Sequence, residues 1–190
     1  MQWSLVAPEE LKLRPHMRRM SIFLVCCLLL LISDARGAEP AYEVGFSPNG
    51  KSLHIILDNI SEARVSILVA AYSFTNNPIS KALLAAHRRG VVVAVLVDQE
   101  ANSEKCTAVN FLANNKIPVR LNGQYAIMHH KFMVIDGTTV QHGSFNYSAA
   151  AVNKNAENVL VLKGVPGIAA KYTEEWKRLW EEGVDVRPNY

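Results

Sequence analysis

The sequence predicts an α/β protein whose mixed, largely parallel β-sheet is flanked by helices on both faces. The first observation is that residues 64–74 and 91–98 are apolar runs rich in β-branched side chains, as expected of strands buried on both faces. The second is that segments with helical spacing alternate with these runs, which is typical of parallel strands joined by helices. The third is that 49% of the residues are apolar, which is enough to fill a core.

The elements of the first half follow in order along the chain. Residues 42–48 predict a short strand that ends at a turn, and residues 51–63 predict a helix because apolar side chains recur on one face. After the first buried strand, residues 76–90 predict a second helix. Its start is indicated by Asn77 followed by Pro78 at the first helical position, and its end by basic residues before a glycine.

The pattern changes after the second buried strand. A helix, a short strand, a hairpin, a further strand and a closing helix are predicted over residues 103–117, 118–121, 130–144, 157–162 and 167–183. The hairpin is indicated by Asp136-Gly137 between two strand-like segments. The closing helix carries Trp176 and Trp180 four residues apart, and we interpret this pair as core packing rather than as a cofactor contact.

Residues 1–38 are interpreted as a secretory signal peptide, which leaves residues 39–190 as a single domain. A basic pair precedes an apolar run over residues 22–32, and small residues follow it. An uncleaved membrane anchor is the alternative, but this run is shorter than the roughly 20 apolar residues that span a bilayer. The residues before Met17 are unlike an ordinary signal-peptide start, so Met17 or Met20 is an alternative translation start.

Cysteine usage and charge bear on the compartment and the partners. Cys26 and Cys27 lie in the apolar run, so the mature chain keeps Cys106 alone, without an internal disulfide. We interpret Cys106 as a small buried apolar residue and expect an exported protein, periplasmic or secreted, without stable membrane insertion of the mature chain. The formal net charge is only +3, so bulk charge identifies no partner and anion binding must depend on local cations.

Residues 126–148, AIMHHKFMVIDGTTVQHGSFNYS, carry a dense group of polar side chains. Alternate residues of a strand share a face, so His129 and Lys131 point the same way, and Ser144 and Asn146 share a face by the same rule. If the two segments lie side by side, an imidazole, an ammonium, a hydroxyl and an amide converge on one patch. Such a patch suits a phosphate group, with the histidine placed to attack phosphorus or to move a proton.

These residues match a known pattern. The spacing H-x-K, four residues, D, six residues, G-S-x-N is the signature of the phospholipase D superfamily, and this chain resembles it at every fixed position. The matching residues are His129, Lys131, Asp136, Gly143, Ser144 and Asn146. From Tyr42 to the C-terminus the chain is also similar to the small secreted Nuc-type endonucleases of that superfamily, in segments such as FSPNG, AYSFTNNPI and KNAENVLVL.

The resemblance implies a phospholipase D-like catalytic domain and a metal-independent phosphodiesterase that needs no cofactor and acts through a phosphohistidine. It implies that His129 is the nucleophile or the general acid, and that Lys131 and Asn146 bind the phosphate with Ser144 nearby. Family members also place an acidic residue further along the chain to orient the histidine ring, and Glu157 corresponds to it. The implied substrate is DNA or RNA, cleaved nonspecifically because phosphate contacts carry no sequence information.

Four other residues of the stretch are interpreted as structural. Asp136 and Gly143 belong to the motif, but Asp136 lies at the hairpin turn, away from the face of His129. Strand alternation turns His130 to the back of the patch, where packing or hydrogen bonding is expected rather than direct catalysis. His142 matches no motif position and is assigned to the structure or the surface.

A single copy of the motif leaves the implied mechanism incomplete. That mechanism needs two histidines with opposite roles, and residues 39–190 leave no room for a second motif. We therefore expect an obligate homodimer with the active site at its two-fold interface. Each subunit would contribute His129, Lys131 and Asn146 to the shared site.

Other functions are compatible with parts of the pattern. A phospholipase D-type lipid hydrolase would use the same chemistry, and a non-catalytic nucleic-acid-binding module would keep the fold without turnover. A metal site built from His129, His130 and His142 is disfavoured because adjacent residues of a strand diverge and no cysteine or carboxylate cluster joins them. Contacts to a nucleic-acid backbone, which would make binding salt-sensitive, are assigned to Arg88, Arg89, Arg120 and Lys154.

Overall fold

The computed structural model describes residues 40–103 and 108–188. The predicted signal peptide over residues 1–38 and the predicted burial of Cys106 fall outside these residues, and the division of the chain at residue 39 stays a prediction. None of the helices in the described ranges combines the length and the apolar character that crossing a bilayer requires.

The described residues form a single eight-stranded sheet with five helices. The strands are β1 (Ala41–Ser47), β2 (Ser66–Ala71), β3 (Val92–Asp98), β4 (Val119–Asn122), β5 (Lys131–Ile135), β6 (Thr139–Gly143), β7 (Glu157–Lys163) and β8 (Val184–Asp185). The helices are α1 (Ser52–Glu62), α2 (Asn77–Arg88), α3 (Ala108–Asn114), α4 (Ala149–Asn153) and α5 (Pro166–Glu182), with a 3-10 turn at Glu100–Asn102.

The strand order is β1-β7-β6-β5-β2-β3-β4-β8. Parallel pairing joins β2 to β3 and β3 to β4, while the other neighbouring pairs are antiparallel. The predicted mixed α/β sheet is therefore confirmed, but its parallel part is smaller than predicted. The reason is that the β5–β6 hairpin pairs with β2 in the antiparallel sense, and β7 and β1 continue that pairing to the edge.

Helices cover both faces of the sheet, as predicted. On one face, α1 to α4 pack against alternate strand residues such as Val69 of β2 and Met133 of β5. On the other face, α5 packs against the intervening residues, among them Ala70. Trp176 of α5 donates its ring N–H to the Val69 carbonyl at 2.8 Å and stacks on Trp180, so the interpretation of this pair as core packing is confirmed.

The boundaries of several elements differ from the sequence prediction. The N-cap of α2 is Asn76 rather than Asn77, because the Asn76 side chain accepts a hydrogen bond from the Ile79 backbone N–H at 3.0 Å. The sequence does not predict α4 or β8. The former is a single short turn capped by the Ser148 hydroxyl, and the latter has two residues, so neither is long enough to leave a periodic pattern.

The sheet brings the ends of several strands to one edge. β5 runs antiparallel to β2, so Lys131 at its start lies opposite Ala71 at the end of β2. β6 returns to the same edge, where Gly143 pairs with Val159 of β7, and Glu157 is the first residue of β7. Segments that are far apart in sequence therefore meet at the edge where β2 ends.

Candidate active site

An open pocket of about 410 Å³ lies at this edge of the sheet. It is lined by His129, Lys131, Gly143, Ser144, Asn146 and Glu157. The structure thus brings together every predicted site residue except Asp136, which lies at the hairpin turn. The catalytic and phosphate-binding roles of these residues stay predictions, and the geometry shows what chemistry they could support.

A buried ammonium lies beside an exposed imidazole in this pocket. Lys131 is 7% exposed, and its Nζ donates a hydrogen bond to the backbone carbonyl of His129 at 2.7 Å. Burial lowers the pKa of Lys131, and the negative charge of Glu157 opposes this effect. His129 is exposed to solvent, so a substrate phosphate can reach its ring while the lysine supplies positive charge.

Ser144 and Glu157 form a second hydrogen-bonded group in the pocket. The Ser144 hydroxyl donates to Glu157 Oε2 at 2.6 Å and accepts from the Asn158 backbone N–H at 3.1 Å. The other carboxylate oxygen of Glu157 accepts from the Asn155 side chain at 3.0 Å. Neither oxygen is hydrogen-bonded to the His129 ring in the described part of the chain, so the orienting role of Glu157 stays a prediction.

Gly143 and Asn146 shape the pocket in different ways. Gly143 has a φ of +150°, and a Cβ atom at this position would overlap the carbonyl oxygen of Asn158, so only glycine fits without moving β7. Asn146 Oδ1 is buried and finds no hydrogen-bond partner among the described residues. A buried amide oxygen without a partner costs stability, which is the arrangement expected of a group held in place for a ligand.

Asp136 lies at the opposite end of the hairpin, where its carboxylate is bonded to the backbone. It has a φ of +53° and is followed by Gly137 at +65°, left-handed conformations that Asp and Gly adopt readily in tight turns, and residues 136–138 connect Ile135 to its partner Thr139. Its carboxylate accepts hydrogen bonds from the backbone N–H groups of Arg64, Val65 and Ser66 at 2.9, 2.7 and 2.9 Å. These bonds tie the turn to the start of β2, which is a structural function.

The other two histidines of the stretch lie outside the pocket lining. His130 lies on the α5 side of the sheet, where its Nε2 is 3.5 Å from a carboxylate oxygen of Glu175 and its ring meets Phe132 edge-on. His142 is close to the ring of Tyr172, and burial lowers its pKa. Across the described residues, no group of three or more His, Cys, Asp and Glu side chains is arranged to hold a metal ion.

The basic residues assigned to nucleic-acid contacts do not line the pocket. Arg120 is paired with Asp185 at 2.7 Å, and Arg89 donates to two backbone carbonyls of α1 at 3.1 Å. Arg88 and Lys154 are exposed. Arg89 and Arg120 are therefore engaged within the chain, and none of the four residues lines the pocket.

Sequence reasoning missed Tyr72, Asn155 and Asn158 as neighbours of the pocket groups. The ring of Tyr72 lies 4.7 Å from the His129 ring, centroid to centroid, and 5.2 Å from Lys131 Nζ. Its position is the signal that could have identified it, because it directly follows the end of β2, and functional side chains of α/β sheets gather at strand ends. The two asparagines leave no comparable signal in the sequence.

The comparisons with known proteins agree with the geometry of the pocket. A family described as "Cardiolipin synthase, PLD-like domain" matches residues 56–180. The mitochondrial cardiolipin hydrolase of Danio rerio is 35% identical over 127 residues, which are 66% of this chain and 56% of that protein. A phospholipase D of Rickettsia bellii is 37% identical over 131 residues, which are 69% of this chain and 65% of that protein.

Among solved structures, the phospholipase D family member Nuc from Salmonella typhimurium superimposes with a TM-score of 0.77 and 40% sequence identity. The superposition covers 78% of this chain and 99% of the Nuc chain, whereas the chain spans only 56% and 65% of the two curated relatives. The family match includes every residue that lines the pocket. Motif spacing, fold and pocket thus lead to one assignment: the chain belongs to the phospholipase D superfamily.

Proposed function

We propose that this protein is a metal-independent phosphodiesterase that cleaves nucleic acid nonspecifically through a phosphohistidine intermediate. The observation that carries the proposal is the pocket in which the exposed imidazole of His129 lies beside the buried ammonium of Lys131. Ser144 and Asn146 line the same pocket. A nucleophile surrounded by a cation and polar groups suits phosphoryl transfer, which depends on positioning and on charge stabilisation.

The reaction divides into two half-reactions. In the first, a ring nitrogen of His129 attacks phosphorus, so that a P–N bond forms while the P–O bond to the leaving group breaks. The leaving oxygen takes a proton from the imidazolium of a second His129. In the second, that neutral imidazole removes a proton from water, whose oxygen attacks phosphorus and breaks the P–N bond. Both histidines return to their starting protonation states, and one water is consumed.

Lys131 and Asn146 stabilise the phosphate during both half-reactions. The ammonium is buried beneath His129, and an interaction between opposite charges is stronger where water is excluded. Asn146 lines the same pocket, and the Nδ2 group of its amide is the one that can donate a hydrogen bond to a phosphate oxygen. Glu157 raises the pKa of Lys131 by its charge and so helps to keep the lysine protonated.

The second histidine requires a second subunit, so the proposal includes a homodimer. An unpartnered apolar surface lies near the pocket: Tyr42, Val44 and Phe46 project from one face of β1 and are 74%, 47% and 63% exposed. β1 is an edge strand, and its end lies opposite the start of β7, where Glu157 is found. Burial of this face against a second copy of the chain would stabilise a dimer next to the pocket, which holds one of the two required histidines.

The dimer is tested by placing a charge on this face. Phe46→Glu should shift the protein from dimer to monomer in sedimentation velocity, and its activity per chain should fall as the concentration is lowered. Val65→Glu is the matched control, because Val65 is equally exposed at 64% but does not lie on β1. A wild-type monomer with full activity per chain would contradict the shared site.

Nucleic acid is the first candidate substrate. The sequence resembles the Nuc-type endonucleases, and the superposition covers 99% of the Nuc chain at 40% identity. A phospholipid is the second candidate, supported by the names of the curated relatives, cardiolipin hydrolase and phospholipase D. Export to the periplasm or beyond the cell also belongs to the proposal, and it rests on the composition of residues 1–38.

A single set of assays separates these substrates. Purified protein and His129→Ala are incubated with plasmid DNA, single-stranded RNA, and vesicles of phosphatidylcholine or cardiolipin, with EDTA present throughout. We expect cleavage of DNA or RNA that weakens as salt rises and disappears in the variant. Faster hydrolysis of a phospholipid would favour the second candidate, and loss of wild-type activity in EDTA would contradict a metal-independent reaction.

The intermediate is tested by trapping. Acid-free quenching of the wild-type protein with labelled substrate should leave label on His129, since phosphohistidine is an obligatory species in the proposed reaction. His129→Ala should remain unlabelled. Binding of nucleic acid without turnover or labelling would instead indicate a non-catalytic binding module.

A further inference from the structure

Tyr72 contacts both charged groups of the proposed reaction, although no motif position includes it. It directly follows β2, whose last residue, Ala71, pairs with Lys131 of β5. Its ring centroid is 4.7 Å from that of His129, with the planes tilted by 57°. The same ring lies 5.2 Å from Lys131 Nζ. These distances fall within the ranges of aromatic packing and of cation–π attraction.

The backbone around Tyr72 is itself fixed by a buried amide. Asn102 is 4% exposed, and its Nδ2 donates to the Tyr72 carbonyl at 2.6 Å and to the Asp98 carbonyl at 2.8 Å. Its Oδ1 accepts from the Phe74 backbone N–H at 3.0 Å. Asn102 therefore holds the chain on both sides of Ser73, so the ring of Tyr72 projects from a rigid segment.

The ring of Tyr72 counteracts the effect of burial on the Lys131 ammonium. Lys131 is nearly buried, and within the described ranges the His129 carbonyl is its single hydrogen-bond partner. Burial of an ammonium favours its neutral form, whereas a nearby aromatic ring attracts the charged form. The hydroxyl of Tyr72 forms no hydrogen bond with any described residue, so Tyr72 contacts His129 and Lys131 through its ring.

We propose that Tyr72 is a positioning residue. Its ring holds the His129 imidazole and the Lys131 ammonium in the relative positions that attack on a phosphate requires. This inference rests on the proposed function of the pocket. The ring acts through its contacts with both groups, and its hydroxyl is dispensable. Substrate does not need to touch Tyr72 for this role.

Two substitutions separate the ring from the hydroxyl, and a third serves as a matched control. Tyr72→Phe keeps the ring, and Tyr72→Leu removes it while keeping an apolar side chain that excludes water. Tyr172→Leu removes a tyrosine that packs against Phe132 on the α5 side of the sheet, away from the pocket lining. Each full-length variant is assayed on plasmid DNA and on bis(p-nitrophenyl) phosphate across pH.

Tyr72→Leu should lower kcat by about 10²-fold, as expected when a reacting group is misplaced, with KM changed by less than about threefold. The alkaline limb of its pH profile should move to lower pH, because the lysine loses the ring that favours its charged form. Tyr72→Phe and Tyr172→Leu should stay close to wild type in both respects. An equal loss in Tyr72→Phe would assign the effect to the hydroxyl and overturn the proposal, as would an unchanged Tyr72→Leu or an equal loss in Tyr172→Leu.

A measurement without turnover distinguishes failure of this inference from failure of the proposed function. Titration of the Lys131 side chain by NMR, with selectively labelled lysine and Lys131→Met for assignment, should show a lower pKa in Tyr72→Leu than in wild type or Tyr72→Phe. The His129 ring signals should also shift on loss of the neighbouring ring. If these changes appear in a protein that cleaves no phosphodiester, the positioning contact stands and the proposed function fails. If the Lys131 titration and the His129 ring signals are both unchanged, the contact itself is refuted.

Discussion

The β5–β6 hairpin carries motif residues at both of its ends, and the two ends differ in how fully their polar groups are bonded. At the turn, the carboxylate of Asp136 accepts three backbone hydrogen bonds. At the open end, Lys131 is buried with one carbonyl partner, and Asn146 Oδ1 has none among the residues described. The carboxylate at the turn is thus bonded without a ligand, whereas the open end holds a buried ammonium that a phosphate would pair with.

This difference separates two kinds of motif residue that a sequence signature does not distinguish. A carboxylate that accepts three backbone hydrogen bonds far from the pocket contributes to folding. A buried ammonium with few partners reduces stability, and its retention is explained by the anion it can bind. We therefore expect substitutions at the open end to remove activity and leave the fold intact, and substitutions at the turn to do the reverse.

The largest expected effect is that of His129→Ala. Loss of the proposed nucleophile or general acid should lower kcat by about 10⁴-fold or more. Because His129 is exposed, the melting temperature should change by less than about 2 °C, as for most surface substitutions. Steady-state cleavage of bis(p-nitrophenyl) phosphate and thermal unfolding measure the two quantities.

The adjacent histidine provides the control for this experiment. His130→Ala removes an imidazole that lies on the α5 side of the sheet, near Glu175, so kcat should stay within about threefold of wild type. A loss in His130→Ala as large as that in His129→Ala would show that the two faces are not functionally distinct.

The next largest effect is expected for Lys131→Met, which replaces the ammonium by an apolar side chain of similar length. Loss of the charge that stabilises phosphate should lower kcat/KM by about 10²–10³-fold. At neutral pH the variant should be more stable by roughly 1 kcal/mol, because a nearly buried cation is removed from an environment that disfavours it. Denaturant unfolding measures the change in stability, and steady-state kinetics measure the change in kcat/KM. A variant that is both inactive and less stable would contradict the proposed difference between the two ends of the hairpin.

Asp136→Ala should have the opposite effect: lower stability with nearly unchanged activity. It removes the acceptor of three backbone N–H groups and should lower the free energy of unfolding by about 2–4 kcal/mol. Per folded molecule, kcat/KM should remain within about threefold of wild type, since Asp136 does not line the pocket. Asp58→Ala is a suitable control on the exposed surface of α1. Loss of turnover in a stable Asp136→Ala protein would give the turn a direct part in the chemistry.

Most of the fold could be predicted from local patterns. β2 and β3 are almost entirely buried, and the continuous apolar runs that predict them are a direct consequence of burial on both faces. The strand order was not predictable in the same way. The insertion of β5 beside β2 depends on long-range pairing between Ala71 and Lys131, and the resulting antiparallel share of the sheet leaves no local signature.

The pocket was predictable to the extent that its residues belong to one spaced motif. His129, Lys131, Ser144 and Asn146 lie at or just beyond the open end of a hairpin whose turn is encoded by Asp136-Gly137, so proximity follows from short-range geometry. Tyr72 reaches the pocket from the segment that follows β2, and Asn102 bonds to its backbone from a third segment. Such contacts depend on the assembled sheet, which is why sequence spacing alone does not reveal them.

The smallest expected effect concerns the pH dependence of activity and stability. Burial lowers the pKa of Lys131, and the charge of Glu157 opposes that shift. Glu157→Gln should therefore lower the lysine pKa further and move the alkaline limb of kcat/KM to lower pH. Because the folded pKa lies below the unfolded one, the unfolded chain binds more protons between the two values, so wild-type stability should rise with pH through that interval. In Lys131→Met this rise should be absent, which pH-dependent denaturant unfolding would show. A rise of equal size in that variant would mean that another group is responsible, and that the open end of the hairpin does not carry the unfavourable buried charge that sets it apart from the turn.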